Sequence, residues 1–307
     1  MTRTLVVAAV LCAAGVARAD VVGETRGAIA GGRFDEAHQI VADARVAGDT
    51  PATLEALSWI ARGELAAKKL DEALHDAAET RAAAVKLLAT RTLDAEPRLP
   101  IALGAALEVT AQARAAKGER QEAVAQLQAE RDRYAKTSIV TRLNKNLNLL
   151  TLEGKPAPPL EREPHFGAAV PTLASLAGKP VLLFFWAHWC PDCKATAPVI
   201  AQLKAEFAAS GLVVIAPTQL YGAVAGGEEA APAVEMAYID DVRRTRYSAL
   251  GDAPAPVSSA NFKSYGASSV PTIVVVDRKG NVVLYHPGKM SYDELRPALV
   301  AAAKSKR

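Results

Sequence analysis

The feature that most constrains this chain is residues 181–186, Val-Leu-Leu-Phe-Phe-Trp, six consecutive apolar residues without polar alternation. A strand with one face in water alternates between apolar and polar side chains. An unbroken run of this length reads as a strand buried on both faces, and such a strand needs a layer of structure above and below it. The sequence that follows supplies those layers. A helical pattern begins after Cys190 and runs through Val199, Ile200, Leu203 and Phe207; Gly211 ends it, and residues 212–215 read as the next buried strand. Residues 233–250 look helical between loop-like flanks. Residues 272–276 and 282–285 read as two strands joined by Asp277-Arg278-Lys279-Gly280-Asn281, where Gly and Asn suit a turn with positive φ. Residues 290–304 read as a closing helix, with Ser291 as its N-cap and Glu294 three residues on. The order β-α-β-(α)-α-β-β-α predicts an α/β unit, a mixed central sheet flanked by helices.

The first half has a different character. Between residues 20 and 152 the aromatic residues are Phe34, Trp59 and Tyr134, while the other thirteen lie beyond residue 160. Pro156, Pro158, Pro159, Pro164 and Pro171 crowd the changeover, as in a linker. We therefore divide the chain into an all-α domain at 20–152 and the α/β domain at 153–307. Ala, Leu, Glu, Lys and Arg dominate the first, all good helix formers. Leu54, Leu57, Ile60 and Leu65 trace one helical face, and Leu74, Ala78, Ala82, Val85 and Leu88 another. A short pattern also repeats, as Arg33-Phe34-Asp35-Glu36-Ala37, Lys69-Leu70-Asp71-Glu72-Ala73 and Glu119-Arg120-Gln121-Glu122-Ala123, at spacings of 36 and 50 residues. Each instance follows a break and opens a helix. This resembles a tetratricopeptide-type array of helical hairpins, although the spacing is irregular and a plain α-bundle fits the same composition.

Residues 1–19 read as an address. Arg3 precedes an apolar core from Leu5 to Val16, and Ala17-Arg18-Ala19 fits a small-x-small cleavage rule, with Asp20 as the new N-terminus. The run is shorter than the roughly 20 residues of a spanning helix. Cleavage would remove Arg3 and Arg18 and no acid, taking the formal charge from +3 to +1. A near-neutral exported protein gives no electrostatic case for nucleic acid. It would keep two cysteines, Cys190 and Cys193, in a setting where disulfides persist.

Those two cysteines lie in Trp189-Cys190-Pro191-Asp192-Cys193, between the buried strand and the helix after it. At a helix N-terminus, free N–H groups and the positive end of the dipole stabilise a thiolate, so Cys190 is the expected attacking residue. Cys193, one turn inside, would resolve the mixed disulfide. Trp189 would cover the sulfur pair. The disulfide closes too short a loop to stabilise the fold much. No metal site is expected, because His38, His75, His165, His188 and His286 show no paired spacing. His188 lies two residues from Cys190, where an imidazole could tune the thiol, but it reads as a variable surface position.

Phe185-Trp186-Ala187-His188-Trp189-Cys190-Pro191-Asp192-Cys193-Lys194, with Pro198, resembles the active-site segment of thioredoxin-fold oxidoreductases. Gly154-Lys155-Pro156-Ala157-Pro158 and Gly178-Lys179-Pro180 are similar to the secreted TlpA/ResA-like branch, and Ser269-Val270-Pro271-Thr272 to the segment that carries that fold's cis-proline. The resemblance implies a cis Pro271 that turns Val270 towards the cysteines, where its backbone would pair with an extended substrate. It implies no cofactor. Its usual buried acids correspond to Phe184 and Thr196, so the proton acceptor for Cys193 is open. Pro191 and Asp192 would tune the couple, and the charge of Asp192 should disfavour the Cys190 thiolate and favour the disulfide. The implied activity is reduction or isomerisation of protein disulfides, fed by a membrane electron donor, with the helical half choosing the partner. The competing reading is a helical-repeat binding or assembly protein with a redox-sensitive latch.

Overall fold

In the computed structural model, which describes residues 20–305, seven α-helices come first: α1 (Val21–Ala30), α2 (Phe34–Ala44), α3 (Pro51–Ala66), α4 (Leu70–Leu87), α5 (Arg98–Ala116), α6 (Arg120–Arg133) and α7 (Val140–Thr151). The expected leader, residues 1–19, lies outside the described residues. Among the described residues no helix is long and apolar enough to cross a membrane.

The repeated pattern has a structural counterpart. Its three instances open α2, α4 and α6, and their alanines, Ala37, Ala73 and Ala123, are all fully buried. The preceding turns close in one way: the N–H of Arg33 donates to Ala28 O, that of Lys69 to Glu64 O and that of Glu119 to Arg114 O, each at 2.9 Å. This six-to-one bond is a Schellman closure, and it places one residue in the left-handed region. Gly32 (φ 72°) and Gly118 (φ 91°) fill that position in the outer turns and Lys68 (φ 61°) in the middle one.

The face expected for α4 is displaced. Leu74, Val85 and Leu88 are only partly buried and Ala78 and Ala82 are exposed; the buried residues are Ala73, Asp76, Ala77, Thr80, Ala83 and Ala84. The helix is wedged between α3 and α5, and close approach of three helices selects small side chains over the most apolar ones.

After α7 come β1 (His165–Phe166), β2 (Val181–Phe185), α8 (Pro191–Glu206), β3 (Val213–Ile215), α9 (Pro232–Arg246), β4 (Ala255–Pro256), α10 (Ser259–Tyr265), β5 (Thr272–Val276), β6 (Val282–Pro287) and α11 (Tyr292–Lys304). Ser291 caps α11 with Glu294 completing the box, as expected. The main sheet has the order β3-β2-β5-β6. β2 runs parallel to β3, with Val181 opposite Val213, and antiparallel to β5, with Phe185 opposite Thr272. All five residues of β2 are buried. Leu182 and Phe184 face a core with Ala197, Ile200 and Leu203 of α8 and Leu295 and Leu299 of α11. Val181, Leu183 and Phe185 face the other side, with Phe262 and Tyr265 of α10 and Leu152 from the end of the helical half. The unbroken apolar run thus serves two cores, the reason it has no polar alternation.

The two halves are in contact. Asn144 Nδ2 of α7 donates to Lys263 O at 2.8 Å, and Asn148 Nδ2 donates to Ser264 O at 3.3 Å. Gly266 (φ 63°) ends α10 against the backbone of Lys145, where a Cβ would lie 2.3 Å from the Lys145 nitrogen. The proline-rich stretch then begins as an added edge on β6: the N–H of Gly154 donates to Val282 O and the N–H of Val282 to Lys155 O, both at 2.8 Å.

Candidate functional site

β2 delivers its C-terminal end to the turn 186–190, and α8 begins immediately beyond it. Cys190 is the N-cap of α8, and its Sγ accepts a hydrogen bond from the Cys193 N–H at 3.0 Å. Pro191 occupies the first helical position, where a missing N–H costs nothing and the fixed φ suits the helix. The cysteines form a disulfide with a Cα–Cα separation of 5.3 Å. Both cysteines are buried, with Cys190 2% and Cys193 0% exposed. The Val270–Pro271 peptide is cis, and the Val270 carbonyl oxygen lies 3.6 Å from Cys190 Sγ. Trp189 is the exposed member of the group, at 53%. Asp192 is exposed and faces Lys289, whose Nζ lies 3.1 Å from Asp192 Oδ1. Phe184 is fully buried, and Thr196 donates its hydroxyl to Asp192 O at 2.7 Å. Neither supplies a proton acceptor.

The turn is held by residues that the local motif does not announce. The hydroxyl of Tyr247 donates to Ala187 O at 2.9 Å, and the indole N–H of Trp186 donates to Ala216 O at 2.9 Å. Thr218 donates its hydroxyl to Trp186 O at 3.0 Å. Burial pushes the Tyr247 and Tyr221 hydroxyls above the ordinary tyrosine range, which keeps both protonated and able to donate. Tyr221 stands edge-on to the Trp189 ring at 5.4 Å. Its loop is fixed by Glu235 of α9, a buried carboxylate that accepts the N–H groups of Tyr221 at 2.5 Å and Gly222 at 2.8 Å.

His188, expected at the surface, is buried. It is 1% exposed, with its ring between Tyr221 at 5.7 Å and Tyr238 at 5.3 Å. Burial lowers its pKa, with Glu235 opposing that effect, so the ring is neutral near pH 7. Residues from the segment 218–250 pack over His188, while Trp189 stays exposed. Local sequence at 188 carries no trace of that cover; the only signal was the richness of the distant segment in tyrosine.

A strand leading into a sulfur-capped helix, with a cis-proline carbonyl against the first cysteine, is a dithiol–disulfide centre built on a thioredoxin-like fold. The chain belongs to the thioredoxin-like family. That family's domain, described as a thioredoxin-like domain, matches residues 171–303. The thioredoxin-like protein YneN of Bacillus subtilis is 30% identical over 147 residues, covering 48% of this chain and 78% of that protein. The soluble secreted antigen MPT53 of Mycobacterium tuberculosis is 47% identical over 51 residues; the match covers 17% of this chain and spans only 30% of that relative's length. Among solved structures, the pneumococcal exposed lipoprotein thioredoxin Etrx1 from Streptococcus pneumoniae is 26% identical with a TM-score of 0.36, covering 47% of this chain and 99% of that one.

Proposed function

We propose that this chain is an exported thiol–disulfide oxidoreductase that reduces or isomerises disulfides in other proteins. The observation that carries the proposal is the position of Cys190, whose sulfur caps α8 and accepts the Cys193 N–H at 3.0 Å. The same backbone donor and the helix dipole stabilise a thiolate there once the disulfide is reduced. In the reductive direction, the Cys190 thiolate attacks one sulfur of a substrate disulfide. The substrate S–S bond breaks, and the departing substrate sulfur leaves as a thiolate that takes up a proton. Cys193 then loses its proton and attacks Cys190 Sγ, releasing the second substrate thiol and closing the Cys190–Cys193 bond. The substrate gains two electrons and two protons, and the dithiol loses them.

Trp189, Val270 and Pro271 form the surface a substrate meets, with the Val270 backbone available to an extended segment. Residues 20–152 act as a tetratricopeptide-like domain that selects the partner protein; the three alike hairpin closures and buried alanines support this reading. Export after cleavage at Ala19 is supported by the leader-like composition of residues 1–19 and by the relative that is, by name, a soluble secreted antigen. Electrons come from a membrane donor.

The test is the reduction potential of the mature chain by glutathione equilibration, together with a disulfide-reduction assay. A value near or below roughly −220 mV, the range of thioredoxin and glutaredoxins, is expected, with activity lost in Cys190→Ser and a mixed disulfide trapped by Cys193→Ser. A value near roughly −120 mV would mark an oxidant. Activity that survives Cys190→Ser would remove the proposal and leave the helical half as the working part.

A further inference from the structure

Away from the redox centre, the helical half buries a polar group that helix packing alone does not explain. Glu64 of α3 and Asp76 of α4 are 2% and 3% exposed, beside the small buried residues Ala61, Ala73 and Ala77. His38 of α2 reaches them from the surface: its Nε2 lies 2.8 Å from Asp76 Oδ2 and 3.9 Å from Glu64 Oε1. The other oxygen of Glu64, Oε2, is buried without a hydrogen-bond partner.

Two features make this group short of positive charge. Buried carboxylates are ordinarily matched by Arg, Lys or a metal, because an unpaired one loses several kcal/mol of hydration. The charged groups acting on Glu64 are Asp76, Glu72 and His38, two further acids and one imidazole. Among the described residues, no Arg or Lys forms an ion pair with Glu64 or Asp76. The second feature is the orientation of His38. Its Nδ1 lies 3.0 Å from the Phe34 carbonyl oxygen, which can only accept a hydrogen bond, so Nδ1 carries the proton. In the neutral ring Nε2 is then a bare lone pair, and it points at two carboxylates. A cation must stand between these acceptors, either a proton or a metal ion.

We propose that His38, Glu64 and Asp76 form a binding site for a divalent first-row cation, with Zn²⁺ the best match. One imidazole nitrogen and two carboxylate oxygens are a zinc-type donor set, drawn from three helices, and the half-exposed His38 leaves a side open for a water ligand. The three ligand atoms lie within 4.8 Å of one another. A tetrahedral ion with bonds of about 2.0–2.1 Å needs them roughly 3.3 Å apart, a side-chain adjustment of about an ångström. The Nδ1–H to Phe34 carbonyl bond is the outer contact that fixes a ligating histidine in the right tautomer. A bound ion would tie α2 to α3 and α4, and so the first helical hairpin to the second.

The experiment is equilibrium dialysis of the mature full chain against ZnCl₂ at neutral pH with the Cys190–Cys193 disulfide closed, so that thiolates cannot take the metal. A single zinc ion per chain is expected, with affinity reduced by roughly tenfold or more in His38→Gln and in Glu64→Gln. Zinc should also raise the melting temperature of the wild type and not of either variant. His38 lies at the surface, so His38→Gln reports even if a variant at Glu64 proves unstable; far-UV circular dichroism checks that it is folded. No stoichiometric binding by the oxidised chain overturns the assignment and leaves a proton as the bridging cation. Binding that both substitutions leave unchanged overturns it as well, because the metal then sits elsewhere.

Discussion

The ammonium of Lys289, just beyond β6, lies 3.1 Å from Oδ1 of Asp192, the residue immediately before Cys193. The pair is exposed, at 67% and 54% of the two side chains, so water screens it and its contribution to stability is small. Its effect on the thiolate is of opposite sign at its two ends. Asp192→Asn should raise the reduction potential and Lys289→Ala should lower it, each by about 10–30 mV, with the double variant close to wild type. Glutathione equilibration of the four proteins decides this. Shifts of the same sign from both single variants would exclude an electrostatic origin.

Glu235 holds the Tyr221–Gly222 backbone with two charge-assisted hydrogen bonds inside a buried environment. Glu235→Ala leaves two N–H groups unsatisfied and should destabilise the fold by about 2–4 kcal/mol. Glu235→Gln keeps an acceptor and should cost less. Because Tyr221 stands against Trp189, fluorescence quenching of tryptophan by acrylamide should increase in Glu235→Ala. Thermal melts of the three proteins in the order wild type, Gln, Ala are the check.

Lys68 occupies the left-handed position that Gly32 and Gly118 fill in the neighbouring turns. A side chain there costs roughly 1–2 kcal/mol, partly offset in a glycine variant by the greater freedom of the unfolded chain. Lys68→Gly should therefore stabilise the protein by about 0.5–1 kcal/mol. Gly32→Ala should do the reverse. Chemical denaturation midpoints at constant slope measure both.

In the metal-free chain, burial and the neighbouring Asp76 raise the Glu64 pKa from 4.5 to about 7. The folded state then holds a proton that the unfolded state has lost between those values, so this group makes stability fall as pH rises from 4.5 to 7. Burial lowers the His38 pKa, but the hydrogen bond to Asp76, its charge and the Phe34 and Glu64 contacts together outweigh it, so His38 is also raised and acts in the same direction, its contribution fading as pH passes its folded value. Melting temperature against pH, in the presence of a chelator, should decline over that range in wild type and much less in Glu64→Gln. A parallel decline in both would locate the titration elsewhere.

Local pattern was informative wherever a side chain's surroundings are set by its own neighbours in sequence. The run 181–186 fixed β2 and its burial on both faces, and Ser291 with Glu294 fixed the start of α11. The spacing of Cys190 and Cys193 at a strand-to-helix junction located the redox pair. Hydrophobic periodicity failed in α4 because three crowded helices choose residues by size, which also hid the buried Asp76. His188 was misplaced because its cover, the loop and helix around Tyr221 and Tyr238, comes from more than thirty residues away in the chain.

The sequence by itself determined the α/β order of the second half, the helical composition of the first and the chemistry available at Cys190 and Cys193. Those properties follow from period, propensity and the reactivity of a thiol at a helix end, all of which act over a few residues. Only the tertiary structure decided which polar groups lose water together: Glu235 with the Tyr221 loop, Lys289 with Asp192, and His38 with Glu64 and Asp76. Burial and charge pairing depend on distance in space, and helices separated by tens of residues bring together partners that no local spacing can encode.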